Sequence, residues 1–208
     1  MLLRRRIPAE NHRHGAAFVG ETPVPRRGIN ITARSRLKYA LVNAFLFQLV
    51  WLACVQAHNR FALAVTACYL VFHHAFFVNR IGEWRLVFGF AAVGYLAVSL
   101  IQITGLVHFN GGPVAGFLAP VWLACLWLAF CTTLNHSLAW LRPRPFVSLL
   151  IGLFLAPFTY WLGVEISGSQ IASPSYRFFL AEAVLWSLLL PVATQFTEHT
   201  AASQRAWR

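Results

Sequence analysis

Six apolar stretches, each close to the length of a membrane-spanning helix, make up most of the 208 residues of this chain. A bilayer core of about 30 Å requires roughly 20 helical residues, and the buried helices of soluble proteins are rarely this long and this apolar. The pattern predicts an all-α fold, a polytopic membrane helix bundle with six transmembrane helices. The stretches are Tyr39–Ala57, Phe61–Val78, Leu86–Val107, Val114–Leu141, Pro145–Ile166 and Phe178–Phe196.

Basic residues lie on alternate connections between these stretches. Of the 17 Lys and Arg residues, all but Arg60 and Arg177 fall in the N-terminal segment, the second and fourth connections or the C-terminal segment. Positively charged segments are retained on the cytoplasmic side of a membrane. We therefore expect both termini to be cytoplasmic.

The same pattern predicts three regions. Residues 1–36 are rich in Pro, Gly and Arg and lack periodicity, which predicts a basic, disordered cytoplasmic tail. Residues 37–198 form the six-helix transmembrane domain, and residues 199–208 form a short cytoplasmic tail. The net charge of +11 fits anionic lipid headgroups, at about 1 kcal/mol per basic side chain near the membrane, rather than nucleic acid.

Short connections restrict where a functional site can lie. His58, Asn59 and Arg60 alone join the first two stretches, so these two helices must be antiparallel neighbours. No stretch is left to form a soluble domain, so a site must lie within the bundle or at its rim.

Polar side chains inside the stretches form an inner layer, about 6 to 9 Å from the predicted cytoplasmic ends at a helical rise of about 1.5 Å per residue. Unpaired polar groups in lipid cost several kcal/mol, so these side chains should face the bundle interior. His73 and His74 diverge by about 100° on one helix, so at most one faces inwards. The candidates for a polar pocket are Asn43, His73, His74, Thr132, Asn135 and His136.

The fourth stretch is long enough to be one tilted helix that ends near Trp140 and Leu141. Within it, Thr132, Asn135 and His136 have the spacing i, i+3, i+4 and therefore share one helical face. Trp140 extends this face to the membrane interface. This face is the main candidate for the polar wall of a pocket.

A thinner, outer polar layer comprises Gln102, Tyr160 and Glu182. Glu182 has two interpretations. It is neutral and hydrogen-bonded to Gln102 or Tyr160, because burial disfavours the charged form, or it relays protons or holds a cation in a transporter. Gln48 lies alone near the midplane between the two layers.

The inner layer does not have the composition of a metal site. Histidine-rich membrane metal sites need many more ligands, usually with HxxxH or HxxHH spacing, and this chain has neither. We therefore expect no metal and no cofactor. The layer either consists of hydrogen bonds that lock the helices together, or forms a polar pocket for a lipid headgroup or a lipid-derived substrate.

The run Thr132–Leu141 (TTLNHSLAWL), together with Asn43 and Phe47–Trp51 (FQLVW), resembles an uncharacterised, domain-of-unknown-function family of small bacterial multi-pass inner-membrane proteins. The likeness covers residues 40–197 and excludes the basic tail. It implies a bacterial inner-membrane location and an association with genes for membrane-lipid modification, including enzymes similar to cyclopropane-fatty-acid synthases. The family motif falls on Asn135 and His136.

These observations predict an accessory or lipid-interacting component of membrane-lipid metabolism, with a polar pocket near the cytoplasmic leaflet, rather than an enzyme. Membrane lipids are the expected partners and membrane-lipid enzymes are candidate protein partners, while the oligomeric state is open. The alternatives are a small-molecule or lipid transporter and a membrane-embedded lipid-modifying enzyme. A scaffold predicts no cavity, an enzyme predicts an opening at headgroup depth, and a transporter predicts a path joining both layers past Gln48.

Overall fold

The computed structural model describes residues 33–78 and 82–206, with side chains described at all of these except 33, 57, 58 and 198–206. The predicted tails, residues 1–36 and 199–208, therefore lie largely outside the described residues. The helices are α1 (Ala33–Phe76), α2 (Gly82–Ile103), α3 (Val121–Thr133), α4 (Pro145–Leu150), α5 (Ala156–Ser167) and α6 (Tyr176–Ala206). A π-helical turn (Ile151–Leu155), a 3₁₀ turn (Ala139–Leu141) and the strands β1 (Val107–His108) and β2 (Gln170–Ile171) complete the fold.

Four helical segments within the described residues are long and apolar enough to cross a membrane. Large apolar side chains cover their outer faces, where a soluble protein would place polar groups, and Phe45, Leu100, Phe146 and Leu188 are each more than half exposed. Length and surface together indicate a membrane protein. The segments are Arg34–Gln56, Gly82–Ile103, Pro145–Ser167 and Tyr176–Thr197.

Helix α1 folds back on itself although its 44 residues are continuously helical. In a straight helix, residues 43 and 69 would lie about 39 Å apart. The Asn43 Nδ2 atom is instead 3.4 Å from the Tyr69 hydroxyl, and the Cys54 Sγ atom is 3.7 Å from Thr66 Oγ1. The first half (residues 33–56) and the second half (residues 59–76) therefore pack side by side and antiparallel.

Helix α3 is shorter than the sequence pattern predicts, and the prediction of a single helix over Val114–Leu141 is wrong. The helix covers 13 residues, about 20 Å, which is too short for a bilayer core. Gly111, Gly112 and Gly116 adopt positive φ angles in the loop before it. Glycine adopts this conformation without steric cost, so the loop turns despite its apolar composition.

Helix α3 lies at the centre of the fold and is largely enclosed by its neighbours. Apolar side chains around its whole circumference are buried, including Trp122, Leu123, Cys125, Trp127 and Cys131. A helix that is apolar on every side belongs in a protein or membrane interior. The α3 helix thus forms the core against which α1 and α2 pack, and against which Trp186 of α6 stacks.

Side-chain contacts define two ends of the bundle. At the first, the hairpin end, Asn59 at the reversal of α1 donates to Gly111 O at 3.1 Å, and β1 pairs with β2 in antiparallel register. At the second, the cluster end, His136 after α3 contacts Glu83 at the start of α2. Helix α3 consequently runs from the hairpin end to the cluster end, antiparallel to α2.

A π-helical turn joins α4 to α5 and determines how both pack against α6. Pro157 lacks an amide proton, so the carbonyl group of Leu153 loses its helical partner, and the helix widens at this point. Gly152 lies in the widened turn, where an added Cβ atom would collide with the backbone carbonyl of Trp186. The two backbones are therefore in direct contact, and α4 and α5 act with the turn as one spanning segment.

Candidate functional site

The cluster end holds a carboxylate shared by two histidines, which we call the His–Glu–His cluster (His73, Glu83 and His136). Glu83 Oε1 lies 2.8 Å from His136 Nε2 and 3.4 Å from His73 Nε2. The His73 side chain is fully buried, and those of Glu83 and His136 are 11% and 16% exposed. Because Glu83 lies in the first turn of α2, the helix dipole further stabilises its negative charge.

The two adjacent histidines of α1 face different surroundings. His73 is buried, and its ring stacks on Phe77 with centroids 5.4 Å apart. His74 is exposed, and its Nδ1 atom accepts a hydrogen bond from Trp84 Nε1 at 3.2 Å. Only His73 joins the cluster, so His74 is separated from the other pocket candidates.

Beside this cluster, a second group of buried side chains connects α1 with the end of α3. We call it the Asn43 network (Asn43, Tyr69, Thr132 and Ser137). Asn43 Oδ1 accepts a hydrogen bond from Ser137 Oγ at 2.8 Å, and the Tyr69 hydroxyl lies 2.6 Å from Thr132 Oγ1. The network satisfies polar groups across helices, and it places two predicted residues, Asn43 and Thr132, in one chain of hydrogen bonds.

Asn135 lies apart from both groups, which corrects the prediction of one polar face. Helix α3 ends at Thr133, and the amide group of Leu138 donates to Thr133 O at 2.8 Å across the following turn. Because α3 ends before Asn135 and His136, the i, i+3, i+4 spacing does not place them on one helical face with Thr132. Asn135 Oδ1 accepts a hydrogen bond from Arg142 Nη2 at 2.6 Å, while Trp140 is 48% exposed and does not extend a polar face.

Sequence reasoning missed Glu83, the residue that holds the two histidines together. The sequence pattern begins the third helix at Leu86, which leaves Glu83 in a connection. The structure begins α2 one turn earlier, at Gly82, which places this carboxylate inside the fold. An acidic side chain close to the start of an apolar helix was the available signal.

Gln102 does not bond with Glu182, and Tyr160 does not either. Gln102 Nε2 donates to Leu118 O at 3.3 Å, in the loop before α3. Glu182 is fully buried, and neither carboxyl oxygen has a hydrogen-bond partner. The predicted hydrogen bond between Glu182 and one of the other two residues is therefore wrong, although Tyr160 lies close enough to Glu182 to interact with it electrostatically.

Aromatic side chains surround Glu182 in what we call the aromatic–acid cluster (Trp127, Tyr160, Glu182 and Trp186). The indole rings of Trp127 and Trp186 stack with centroids 4.8 Å apart and planes 9° apart. Tyr160 lies against Trp186 at a centroid distance of 6.2 Å. Gly94 of α2 permits this arrangement, because a Cβ atom there would collide with the Trp127 ring.

A cavity of about 340 Å³ runs along α3, and we call it the α3 cavity. Its walls come from the first half of α1, from α3, from the π-helical turn and α5, and from α6. Trp122 and Thr133, at opposite ends of α3, both line it, so it extends about 16 Å. Its lining is mainly apolar, with many aromatic side chains that include Phe47, Trp51, Trp122, Trp127, Tyr160 and Trp186.

Of the residues in the two predicted polar layers, Tyr160 lines the α3 cavity and the others do not. Ser137, from the Asn43 network, lines one part of it, and Tyr160, from the aromatic–acid cluster, lines another. Gln48 and Leu155 also line it and are exposed on the bundle surface. The cavity therefore reaches the surface between the first half of α1 and the end of the π-helical turn.

Comparison with known proteins gives a family and no assigned activity. No curated protein and no solved structure matches the chain. A family model described as "Protein of unknown function (DUF2878)" matches residues 40–192. The match extends from the first half of α1 into α6, and it includes both clusters and the cavity. The chain therefore belongs to the DUF2878 family of proteins of unknown function.

Proposed function

We propose that this chain is an integral protein of a bacterial inner membrane that binds a membrane lipid, as an accessory component of membrane-lipid metabolism. It crosses the membrane six times: besides the four long segments, the second half of α1 forms one crossing, and α3 together with the segments that flank it forms the other. Antiparallel packing within α1, and of α3 against α2, supports this count. Arg85, Arg142 and Arg144 belong to segments at the cluster end, which supports a cytoplasmic position for that end and for both termini.

The α3 cavity carries the proposal. Its volume of about 340 Å³ lies within the range of roughly 300 to 1,000 Å³ that is typical of ligand pockets. An elongated, apolar and aromatic lining suits an acyl chain. Ser137 places the polar Asn43 network beside the cavity, which suits a headgroup at the cytoplasmic leaflet.

Access to the cavity also fits a ligand from the bilayer. Gln48 and Leu155 line the cavity and are exposed on a surface that otherwise carries apolar side chains. A lipid chain can enter between α1 and the π-helical turn without passing through water. An exposed amide near the midplane is costly in hydrocarbon, so Gln48 marks this opening as a functional feature.

Lipid transport is the second candidate, because one cavity joins Ser137 and Tyr160 past Gln48. A transporter moves its lipid between the two leaflets, whereas an accessory protein holds or presents it. A lipid-modifying enzyme has less support, because His73 and His136 form hydrogen bonds with Glu83 and neither lines the cavity.

Filling the cavity tests lipid binding directly. In Ala156→Phe, a large side chain projects from a residue that lines the cavity. In the control Val93→Phe, the same side chain is added at a position of α2 that is 53% exposed. Native mass spectrometry of the detergent-purified full chain should show lipid retained by the wild type and the control and lost several-fold in Ala156→Phe. Equal retention in all three proteins would contradict the proposal.

Lipid analysis of a deletion strain tests the accessory role. The deletion should alter membrane-lipid composition, and the wild-type chain should restore it while Ala156→Phe does not. Reconstituted vesicles with a labelled lipid then separate transport from binding, since only a transporter accelerates lipid movement between leaflets. Unchanged composition after deletion would exclude the role in lipid metabolism but not lipid binding itself.

A further inference from the structure

The His–Glu–His cluster brings three potential metal ligands together from three separate segments. His73 comes from the second half of α1, Glu83 from the first turn of α2, and His136 from the turn that follows α3. Each residue can offer one ligand atom, and the three atoms lie within 4.8 Å of one another. Two imidazole nitrogens and one carboxylate oxygen are a ligand set that binds Zn²⁺ in proteins. Histidine number and spacing alone predict no metal here, because Glu83 is not part of that pattern.

The distances between these atoms suit a shared ion. Glu83 Oε1 lies 3.4 Å from His73 Nε2 and 2.8 Å from His136 Nε2. Two ligand atoms that bind one Zn²⁺ ion tetrahedrally, each at about 2.0 to 2.1 Å, lie about 3.3 to 3.4 Å apart. The first distance already has this value, and the second must widen by about half an ångström. A small rotation of the His136 side chain, which is 16% exposed, can provide that change.

An ion can reach these atoms from the surface of the protein. The side chains of Glu83 and His136 are both partly exposed, at 11% and 16%, whereas that of His73 is fully buried. Zinc sites with three protein ligands keep a fourth position for a water molecule. The exposed side of the cluster allows such a position, and the buried side keeps bulk water away from His73.

The charge of Glu83 also favours a cation. Among the described residues, Glu83 forms no ion pair with a lysine or an arginine, and its two histidine partners carry a positive charge only when they are protonated. A largely buried carboxylate is costly unless it is paired with a positive charge or coordinates a metal ion. A divalent cation would compensate this charge. Each histidine would then present an unprotonated Nε2 atom to the ion and carry its proton on Nδ1.

Aromatic packing holds the two imidazole rings in position. The His73 ring stacks on Phe77, and the His136 ring meets His73 and Phe77 edge-on, with centroids 5.0 and 5.3 Å away. His73 Nδ1 has no hydrogen-bond partner, so this packing, rather than a second hydrogen bond, orients its ring. Ligands that are held in place beforehand lose less conformational entropy when an ion binds.

We propose that His73, Glu83 and His136 form a binding site for a divalent transition-metal ion such as Zn²⁺. The bound ion joins the second half of α1, the start of α2 and the turn after α3 at the cluster end of the bundle. None of the three residues lines the α3 cavity. The proposal is therefore independent of lipid binding.

The metal content of the purified full chain tests this site. The protein carries an affinity tag without histidine, and it is treated with EDTA, incubated with Zn²⁺ and desalted before elemental analysis. The wild type should keep about one Zn²⁺ ion per chain. His136→Ala and Glu83→Gln should each keep at least about tenfold less, because each loses a ligand. His74→Ala is the matched control and should keep as much as the wild type, since this neighbouring histidine is exposed and lies outside the cluster.

Two further measurements report on the site itself. Co²⁺ in place of Zn²⁺ should give the strong visible absorption of a four-coordinate ion with the wild type and His74→Ala, but not with His136→Ala, and excess Zn²⁺ should abolish it. EDTA should lower the thermal unfolding midpoint of the wild type, and Zn²⁺ should restore it, because an ion that binds only the folded protein stabilises it. This second measurement needs no variant, so it holds even where a substitution prevents folding.

Three results would overturn the proposal. If the wild type keeps no Zn²⁺ and its unfolding midpoint responds to neither EDTA nor Zn²⁺, the cluster consists of hydrogen bonds only. If His136→Ala and Glu83→Gln keep as much Zn²⁺ as the wild type, the ion lies elsewhere. If His74→Ala loses the ion as fully as His136→Ala, the assignment to these three residues is wrong.

Discussion

The His–Glu–His cluster and the aromatic–acid cluster both bury a glutamate, yet only the first glutamate has hydrogen-bond partners. Glu83 has two histidine partners within 3.4 Å, whereas Glu182 has none. In the first cluster, His73 Nδ1 is the one fully enclosed side-chain nitrogen or oxygen without a hydrogen-bond partner. Paired polar groups hold helices in register, so the His–Glu–His cluster is expected to stabilise the bundle.

The largest effect should come from removing the shared carboxylate. Glu83→Leu leaves two histidines without their partner, one of them fully buried, and should lower the free energy of unfolding by about 3 kcal/mol. Thermal unfolding of the detergent-purified protein measures this change. Glu165→Leu, at an exposed position of α5, is the control and should unfold close to the wild-type temperature. An unchanged midpoint for Glu83→Leu would show that the cluster is not structural.

A smaller loss of stability should follow from a substitution that pushes α6 away from the π-helical turn. Gly152→Ala places a Cβ atom against the backbone carbonyl of Trp186, so one backbone must move, at a cost of about 2 kcal/mol. Because Trp186 moves, lipid retention should fall too, while the His–Glu–His cluster is unaffected. Gly89→Ala in α2 meets nothing within 4 Å and should stabilise the helix by roughly 0.5 to 1 kcal/mol. Equal midpoints for the two variants would contradict the close contact.

Breaking the Asn43 network should cost about 1 to 2 kcal/mol. Asn43→Leu removes the acceptor of Ser137 and the donor to Tyr69, both in a buried position. Asn135→Ala is the comparison, since Asn135 bonds to Arg142 near the rim and is half-buried. Asn135→Ala should lower the free energy of unfolding by less than half as much as Asn43→Leu. If Asn135→Ala proves the more destabilising by urea or thermal unfolding, the motif acts through Asn135 rather than through Asn43.

The smallest effect, and the one of opposite sign, should come from Glu182→Leu. The carboxyl group has no hydrogen-bond partner to lose, and an apolar side chain suits its surroundings better. Stability should remain unchanged or rise by up to about 1 kcal/mol. Comparing the unfolding midpoints of Glu182→Leu and Glu83→Leu tests whether the two buried glutamates differ in their contribution to stability. A loss as large as that of Glu83→Leu would mean that Glu182 has a structural partner.

Of the six spanning stretches predicted from the residue pattern, four coincide with segments that are long and apolar enough to cross a membrane. The contacts among the polar candidates could be predicted only in part. The length of the apolar stretches predicted a helical fold. The short connection at residues 58–60 predicted the antiparallel packing within α1, which the contact between Asn43 and Tyr69 confirms. The prediction for the fourth stretch failed, because residues 114–120 before α3 are mostly apolar and hide the turn at Gly116. The role of Glu83 was missed because the sequence pattern places the start of α2 one helical turn too late.

Hydrophobicity along the chain determined that this protein is helical and suited to a membrane, since every long apolar run must satisfy its backbone groups within a helix. The order of those runs could be read from the sequence, whereas the length of α3 could not. Only the tertiary structure decided which polar groups meet. Glu83 finds His73 and His136 because three separate segments end at one place, and Glu182 stays unpaired because its neighbours are aromatic rings around a cavity. Hydrogen bonding depends on distances of a few tenths of an ångström between helices, and no spacing along the sequence contains that information.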